Sequence, residues 1–294
     1  MTTLPLEGAT VVSVEQAVAA PYATRQLADL GARVIKVERP GVGDFARSYD
    51  TTVKGMASYF VWLNRGKQSL SLDLKTSAGL SVLTRLIDHA DVFVQNLSPG
   101  AAARMGLSAP ILRARDGRLI VCDISGYAPD GPMGDRRAYD LLIQCETGVL
   151  SVTGSEKAPA KAGISIADIA GGMFAFSSIL AALYTRERTG AGAALQVSLF
   201  EALTEWMAQP MYYAMYTGVP PARTGTSHAT IAPYGRSAPV GAARSSSRCR
   251  TTANGAVCAT RYSAVPTWPV TRGSRPTQPG SPTGPTCIVR WKPR

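Results

Sequence analysis

One carboxylate among small and apolar residues is the feature of the sequence that most suggests chemistry. Asp168 lies within residues 163–172, where most neighbours are Ile, Ala and Gly, and it precedes the apolar run 173–184. The run predicts a buried helix with Asp168 in its first turn, where free amides and the helix dipole favour a charged carboxylate. The small neighbours would let another molecule approach its oxygens closely. Taken alone, however, an acid at a helix start is an ordinary structural feature.

The elements that must position Asp168 alternate along the chain. Short apolar segments predict strands, and the longer periodic segments between them predict helices. Strands and helices that take turns indicate an α/β domain with a mostly parallel sheet flanked by helices. The predicted strands are 9–14, 32–37, 69–74, 91–96, 119–124 and 195–199, and the predicted helices, besides the one after Asp168, are 21–30, 58–64, 76–89, 138–147 and 200–216.

A dinucleotide cofactor is not expected in this domain. Glu38 ends the second predicted strand, where the acid that binds a dinucleotide ribose would lie. The turn after the first strand, residues 17–22, lacks the Gly-x-Gly-x-x-Gly pattern, and the similar segment 41–46 follows the wrong strand. The sequence therefore argues against nicotinamide binding and gives no sign of a permanently bound cofactor.

The positive charge is concentrated at the end of the chain. The formal net charge is +11, but residues 236–294 hold ten of the 31 basic residues and none of the 20 acidic ones, so residues 1–235 are nearly neutral. This tail has eight Pro and no Leu, Phe or Met, a composition that predicts disorder. One interpretation is a basic arm for nucleic acid. No interleaved aromatics or repeats support it, so we expect no nucleic-acid partner and favour the hypothesis of a shifted reading frame.

We expect a cytoplasmic protein without a membrane partner. The first residues lack the basic and apolar regions of a signal peptide, and no apolar run reaches ~18 residues without polar interruption. Five Cys without framework spacing fit reduced thiols. The Cys and the two His, His89 and His228, also lack ligand spacing, so no metal site is expected.

Several short motifs, in order and spacing, resemble the class III CoA-transferase family, which includes formyl-CoA and carnitine CoA-transferases. The resemblance covers residues 5 to about 235. It implies a Rossmann-like large domain over 1–217, a linker over 218–235 toward the family's small domain, and an aberrant tail over 236–294 in place of that small domain. The motifs are GVGD at 41–44, NRGK at 64–67, NLSPG at 96–100, RMGL at 104–107, SGY at 125–127, AYD at 138–140, DIAGG at 168–172 and RTGAG at 188–192.

The resemblance implies that Asp168 is the nucleophile. In the family the matching Asp attacks an acyl-CoA thioester to form a mixed anhydride, and the released CoA thiolate then gives an aspartyl-CoA thioester. An acceptor carboxylate completes the transfer of CoA. A carboxylate suits this task because its acyl anhydride is itself a good acylating agent. Backbone amides at the helix start would hold the oxyanion of the tetrahedral intermediate.

The resemblance also implies a CoA site, with the thioester as substrate. Arg39 would contact the adenosine end, and Arg104 would bind phosphate, which suits a guanidinium. Some relatives carry Gln where this chain has Val18, so that polar contact is absent. The CoA-binding residues implied are Ala17, Val18, Arg39, Leu72, Lys75, Asn96, Arg104, Arg137 and Tyr139.

Two alternatives to CoA transfer stay open. The α-methylacyl-CoA racemases of the same superfamily use a His-Asp pair as base, and Tyr139-Asp140 stands there in this chain. Tyr is a poor base at neutral pH, so transfer is favoured. The other alternative is an inactive CoA-binding remnant, because the resemblance implies an interlocked homodimer in which the small domain completes the cleft.

The motif around Asp168 most resembles members that act on short dicarboxylates such as mesaconate, itaconate, succinate or malate.

Overall fold

Six strands form one sheet in the first of two units of the chain, which covers Met1–Ala229. The structure, a computed structural model, describes residues 3–231 and the backbone of 235–237, 245–251 and 257–262. The strands are β1 (Thr10–Val14), β2 (Arg33–Glu38), β3 (Gln68–Ser71), β4 (Val92–Gln95), β5 (Ile120–Ser125) and β6 (Ala194–Ser198). Their order is β3-β2-β1-β4-β5-β6, and every adjacent pair is parallel. The predicted α/β class with a parallel sheet is confirmed.

Helices connect the strands close to where periodicity predicts them. The α-helices are α1 (Ala19–Asp29), α2 (Ser58–Asn64), α3 (Ser77–Ile87), α4 (Ala101–Arg104), α5 (Ala109–Arg115), α6 (Asp140–Glu146), α7 (Val149–Val152), α8 (Ile166–Thr189), α9 (Leu199–Trp206) and α10 (Ala208–Thr217), and a 3-10 helix spans Phe45–Ser48. The single helix predicted over 200–216 is two helices. Pro210 lacks an amide and its ring would clash with the Trp206 carbonyl, so the helix breaks before it.

The middle strands are buried on both faces because helices cover both sides of the sheet. In β4, Val92 and Val94 face the layer that contains α1 and α8, whereas Phe93 faces the layer that contains α3 and α5. This alternation follows from the pleat of the strand. Burial on both faces explains why the strands have continuous apolar sequences.

The helix that carries Asp168, α8, lies against α1 in the core. By length and composition alone α8 could cross a membrane, but Ile179 is fully buried among the residues of the domain core. A Cβ atom at Gly172 would lie 2.7 Å from the carbonyl oxygen of Ala19 in α1. The small residues after Asp168 therefore permit close helix packing. The expectation that they leave room for a substrate is wrong.

The second unit covers Thr230–Arg294. Its described backbone forms an antiparallel sheet of β7 (Gly235–Ser237), β8 (Ser245–Thr251) and β9 (Val257–Tyr262), in that order. The predicted disorder of the tail stays a prediction, and most of the tail lies outside the described residues. The predicted domain limits at residues 217 and 235 and the shifted reading frame stay predictions.

Candidate active site

A cavity of about 600 Å³, the first cavity, opens where the strand order reverses between β1 and β4. Gln16 follows β1, Asn96 follows β4 and Ser125 ends β5, and all three line the cavity. Adjacent parallel strands whose connections leave in opposite directions create a crevice at their carboxyl ends, where α/β proteins bind ligands. Asp168 also lines this cavity. The fold thus brings the predicted nucleophile to the expected ligand-binding edge.

The environment of Asp168 favours a protonated carboxyl group more than an isolated helix start would. The residue is the third of α8 and is partly buried. Burial, and then the negative charge of Asp140, raise the pKa of Asp168 to about 7. The expectation that the helix start favours the charged form is therefore wrong, because desolvation and a like charge outweigh the helix dipole.

The helix amides that sequence reasoning assigned to an oxyanion are already occupied. Asp140 Oδ1 accepts hydrogen bonds from the amides of Ala167 at 2.8 Å and Asp168 at 3.3 Å. Asp140 Oδ2 accepts from Gln144 Nε2 at 2.6 Å. The Ile169 amide donates to the Ser165 carbonyl. Asp140 thus caps α8 from a distant position, a contact that no local pattern in the sequence signals, and these amides are not free to hold an oxyanion.

The turn after β1, residues 16–18, is held by side chains from two other segments. Asn96 accepts from the Gln16 amide and donates to the Gln16 carbonyl, both at 2.8 Å. The Ala17 amide donates to Asp44 Oδ1 at 3.1 Å. Ala17, Val18 and Asp168 line the same first cavity, and the predicted place of Ala17 and Val18 beside the thioester stays a prediction. The predicted CoA contact of Asn96 stays a prediction, and its side chain is already engaged in holding this turn.

A second cavity, of about 550 Å³, brings together the residues predicted to bind the nucleotide end of CoA. Arg39, Leu72 and Lys75 line it. Gln16 and Leu97 line both cavities, so the two adjoin. The second cavity offers two cations, Arg39 and Lys75, among apolar side chains, and its lining also includes four carboxylates: Glu15, Glu38, Asp44 and Asp73. Two adjoining cavities of this size suit an elongated ligand.

Three other predicted residues have different positions. Arg137 and Tyr139 line the first cavity, where Tyr139 is 68% exposed. Arg104 is exposed on α4 and is absent from the lining of both cavities, although its neighbour Met105 lines the second. Its predicted phosphate contact would have to come from outside the cavity. Among the described residues, neither His89 nor any other histidine lines the first cavity.

Aromatic side chains that sequence reasoning did not single out complete the first cavity. Phe45, Tyr49 and Tyr59 line it. The rings of Tyr49 and Tyr59 meet edge to face with centroids 5.9 Å apart, and the Tyr59 hydroxyl lies 3.3 Å from Ser165 Oγ, just before α8. Burial, and then the charge of Asp44, raise the pKa of Tyr49 to about 12. The Tyr49 phenol therefore stays protonated at neutral pH and is available as a hydrogen-bond donor.

Curated relatives that match this chain are CoA-transferases. The acetyl-CoA:oxalate CoA-transferase of Acetobacter aceti is 37% identical over 232 residues, which cover 78% of this chain and 60% of that protein. The succinyl-CoA:glutarate CoA-transferase of Mus musculus is 36% identical over 232 residues, with 78% of this chain and 53% of that protein covered. The chain thus spans between half and two thirds of the length of these relatives.

Two solved structures are also similar to this chain in sequence and fold. A CAIB/BAIF family protein from Brucella suis superposes with a TM-score of 0.75 and 36% identity, over 80% of this chain and 64% of that one. Rv3272 from Mycobacterium tuberculosis superposes with a TM-score of 0.69 and 34% identity, over 73% and 61%. The family model for CoA-transferase family III matches residues 6–237, most of the chain. On this match and these relatives, the chain belongs to CoA-transferase family III.

Proposed function

We propose that the protein transfers CoA from an acyl-CoA to a free short dicarboxylate, with Asp168 as the nucleophile. The observation that carries the proposal is the position of Asp168. Its partly buried carboxyl group, whose pKa is raised to about 7, lines the first cavity, which adjoins the second cavity where Arg39 and Lys75 lie. A desolvated carboxylate is a stronger nucleophile than a hydrated one.

The reaction conserves the energy of the thioester through two acyl-aspartate intermediates. The Asp168 carboxylate attacks the thioester carbonyl, the C–S bond breaks and CoA thiolate leaves, which gives a mixed anhydride. The thiolate then attacks the Asp168 carbonyl and expels the donor acid as its carboxylate. The acceptor carboxylate attacks this aspartyl-CoA thioester, the C–S bond breaks and CoA thiolate leaves again, which gives a second mixed anhydride between Asp168 and the acceptor. The thiolate then attacks the acceptor's acyl carbonyl, the anhydride C–O bond breaks, and the Asp168 carboxylate is regenerated as the new CoA ester forms. The carboxylate must be ionised to start, so activity should rise as the pH passes through about 7.

The charges around the first cavity support a dicarboxylate acceptor. Arg136, Arg137 and Lys161 line it. One carboxylate of the acceptor reacts and carries no charge as an acyl group, so a second carboxylate would be recognised by a neighbouring cation. Proteins similar to this chain include oxalate, glutarate and mesaconate CoA-transferases. We propose the same chemical class here.

Mass spectrometry of CoA esters tests the proposal. The chain is incubated with succinyl-CoA and a panel of free oxalate, glutarate, mesaconate, malate and monocarboxylates. A new CoA ester of a dicarboxylate is expected from the native chain and from the Asp88→Asn control, whose exposed carboxylate pairs with Arg115 near the opposite edge of the sheet. Asp168→Asn should give none. Binding of CoA without turnover by the native chain would instead support an inactive CoA-binding remnant.

No observation on the described residues favours a racemase, because the Tyr139-Asp140 pair lacks a base for neutral pH. Incubation in deuterated water separates the two reactions, since a racemase would introduce deuterium next to the thioester and a transferase would not. From the family resemblance and the reduced cysteines, we also propose that the enzyme acts as a cytoplasmic homodimer.

A further inference from the structure

Behind the turn 16–18 lie four charged side chains that are almost completely buried, which we call the buried cluster: Glu15, Lys36, Asp44 and Lys67. Their side chains are at most 2% exposed. Lys36 Nζ lies 2.6 Å from Asp44 Oδ2, and Lys67 Nζ lies 2.7 Å from Glu15 Oε1. Buried ion pairs are often no more stabilising than apolar side chains of the same volume. Stability alone therefore gives a weak reason for charges at this place.

The cluster makes a specific contact with the active-site turn. While Asp44 Oδ2 binds Lys36, Asp44 Oδ1 accepts from the amides of Ala17 at 3.1 Å and Ala46 at 2.9 Å. Ala17 has a φ of 61°, in the left-handed region that an alanine adopts at a cost. A strained conformation persists only where the surroundings fix it. Here the buried carboxylate supplies the hydrogen bond that the strained residue needs.

The turn 16–18 lies where the first and second cavities adjoin. Gln16 lines both cavities, and Ala17 and Val18 line the first cavity together with Asp168. Asn96 fixes Gln16 from the β4 side, and Asp44 fixes Ala17 from the β2 side. A reversal of the sign of φ at Ala17 would reorient the peptide on either side of it. The wall against which a thioester must rest would then move.

We propose that Asp44, oriented by Lys36, is a positioning residue for the CoA-transfer reaction: it holds Ala17 in the left-handed conformation that shapes the turn beside Asp168. The inference rests on the proposed function of Asp168. Asp44 acts on the first cavity through the backbone of Ala17, and its buried side chain also borders the second cavity. Displacement of a reacting group by about 1 Å can cost on the order of a hundredfold in rate, so loss of this contact should lower kcat.

Two matched double variants separate the hydrogen bond from the ion pair. Lys36→Met with Asp44→Asn removes both charges but keeps an oxygen for the Ala17 amide. Lys36→Met with Asp44→Leu removes both charges and the oxygen. The first should keep kcat within about threefold of the native value, and the second should lower kcat by about thirtyfold or more at an equal folded fraction. Equal kcat in two folded double variants would overturn the proposal.

A rescue separates positioning from a merely structural role. Glycine adopts a positive φ without penalty, so Ala17→Gly in the Lys36→Met, Asp44→Leu background should recover kcat by about fivefold or more relative to its effect in the native chain. Because glycine also relieves the strain at this position and so raises stability, kcat is compared at an equal folded fraction, where a mere loss of stability gives no rescue. If Ala17→Gly changes kcat by the same factor in the native chain and in the Lys36→Met, Asp44→Leu variant, the inference is wrong.

Hydrogen exchange tests the hydrogen bond from the Ala17 amide to Asp44 without any assay of activity. The Ala17 amide of the native chain should exchange slowly, because its acceptor is a buried carboxylate oxygen. Protection should survive in the asparagine double variant and be lost in the leucine one. Rapid exchange of this amide in the native chain would overturn the inference even if the variants fail to fold. If the native chain transfers no CoA but the amide is protected as described, the proposed function has failed and the positioning contact has not.

Discussion

Two sets of buried carboxylates lie at the same edge of the sheet and behave in opposite ways. Asp168 meets another carboxylate, Asp140, and its pKa is raised to about 7. Glu15 is more deeply buried, and burial alone would raise its pKa, but Lys67 and Lys36 hold that pKa below its ordinary value. Burial would likewise raise the pKa of Glu38, yet hydrogen bonds from Arg47 and Ser69 hold it at about 2. Burial raises the pKa of all three carboxyl groups, so the neighbouring charges and hydrogen-bond donors make the difference between them.

This difference separates reactive carboxylates from those that build the site. Asp44 in the buried cluster has its oxygens bound by Lys36 and by backbone amides. Such a carboxylate cannot attack a thioester, because its lone pairs are committed to fixed donors. The like charge beside Asp168 has the opposite effect and leaves it basic. Substitutions and changes of pH can test this difference between Asp168 and the carboxylates of the buried cluster.

Replacement of the reactive carboxylate should abolish transfer. Asp168→Asn keeps the size of the side chain but cannot form the anhydride, so kcat/KM should fall by at least about 10⁴-fold. The rate of formation of a new CoA ester is the measurement, with Asp88→Asn as control. Retention of more than a hundredth of the native rate would show that another group attacks the thioester.

Replacement of a carboxylate in the buried cluster should instead destabilise the folded protein. Glu15→Gln leaves Lys67 buried without its nearest counter-charge, which costs about 3–5 kcal/mol in the free energy of unfolding. Urea denaturation measures this loss. The control is Asp88→Asn, at an exposed pair with Arg115, where about 0–1 kcal/mol is expected. Equal losses in the two variants would contradict the contrast.

The sequence predicts the scaffold better than it predicts the partners of these carboxylates. Helix α2 has the bounds that periodicity gave, and β4 lies one residue inside each predicted end. Both follow from local patterns. The bond from Asp140 to the start of α8 joins residues 27 positions apart, and the bond from Asp44 to Ala17 also joins residues 27 apart. Such contacts depend on the packing of whole elements and leave no periodic signal.

The same limit explains the errors about Asp168. The sequence suggests that the small residues near Asp168 leave room for a substrate, but Gly172 faces the Ala19 carbonyl of α1. The helix start was interpreted as favouring the charged form, although Asp140 takes the amides and adds a negative charge. Each interpretation treated α8 as an isolated helix. Neither could be corrected without knowing what packs against it.

The raised pKa of Asp168 should cost stability above neutral pH. The unfolded chain releases this proton near pH 4, whereas the folded chain retains it up to about pH 7. The native chain therefore loses free energy of unfolding, relative to Asp168→Asn, as the pH rises from 4 to 7, and the loss is constant above 7. Because Asp168 is partly exposed, we expect a difference of about 1–3 kcal/mol at pH 8 and none below pH 4. Urea midpoints at pH 4, 6 and 8 measure it, and a difference that grows toward low pH would contradict the assignment.

The smallest effect should come from the charge of Asp140. Asp140→Asn keeps an oxygen for the Ala167 amide but removes the like charge beside Asp168. Burial, the larger cause, remains, so the pKa of Asp168 should fall only part of the way toward its ordinary value. The acidic limb of the profile of log kcat/KM against pH, measured from pH 5 to 9, should move to lower pH by less than about one unit, with less than about a tenfold change at pH 8. In the control variant Asp88→Asn, the acidic limb of the same profile should stay where it is in the native chain. A shift of the Asp140→Asn limb to higher pH would show that Asp140 stabilises the ionised nucleophile, and the contrast between the two sets of carboxylates would then be wrong.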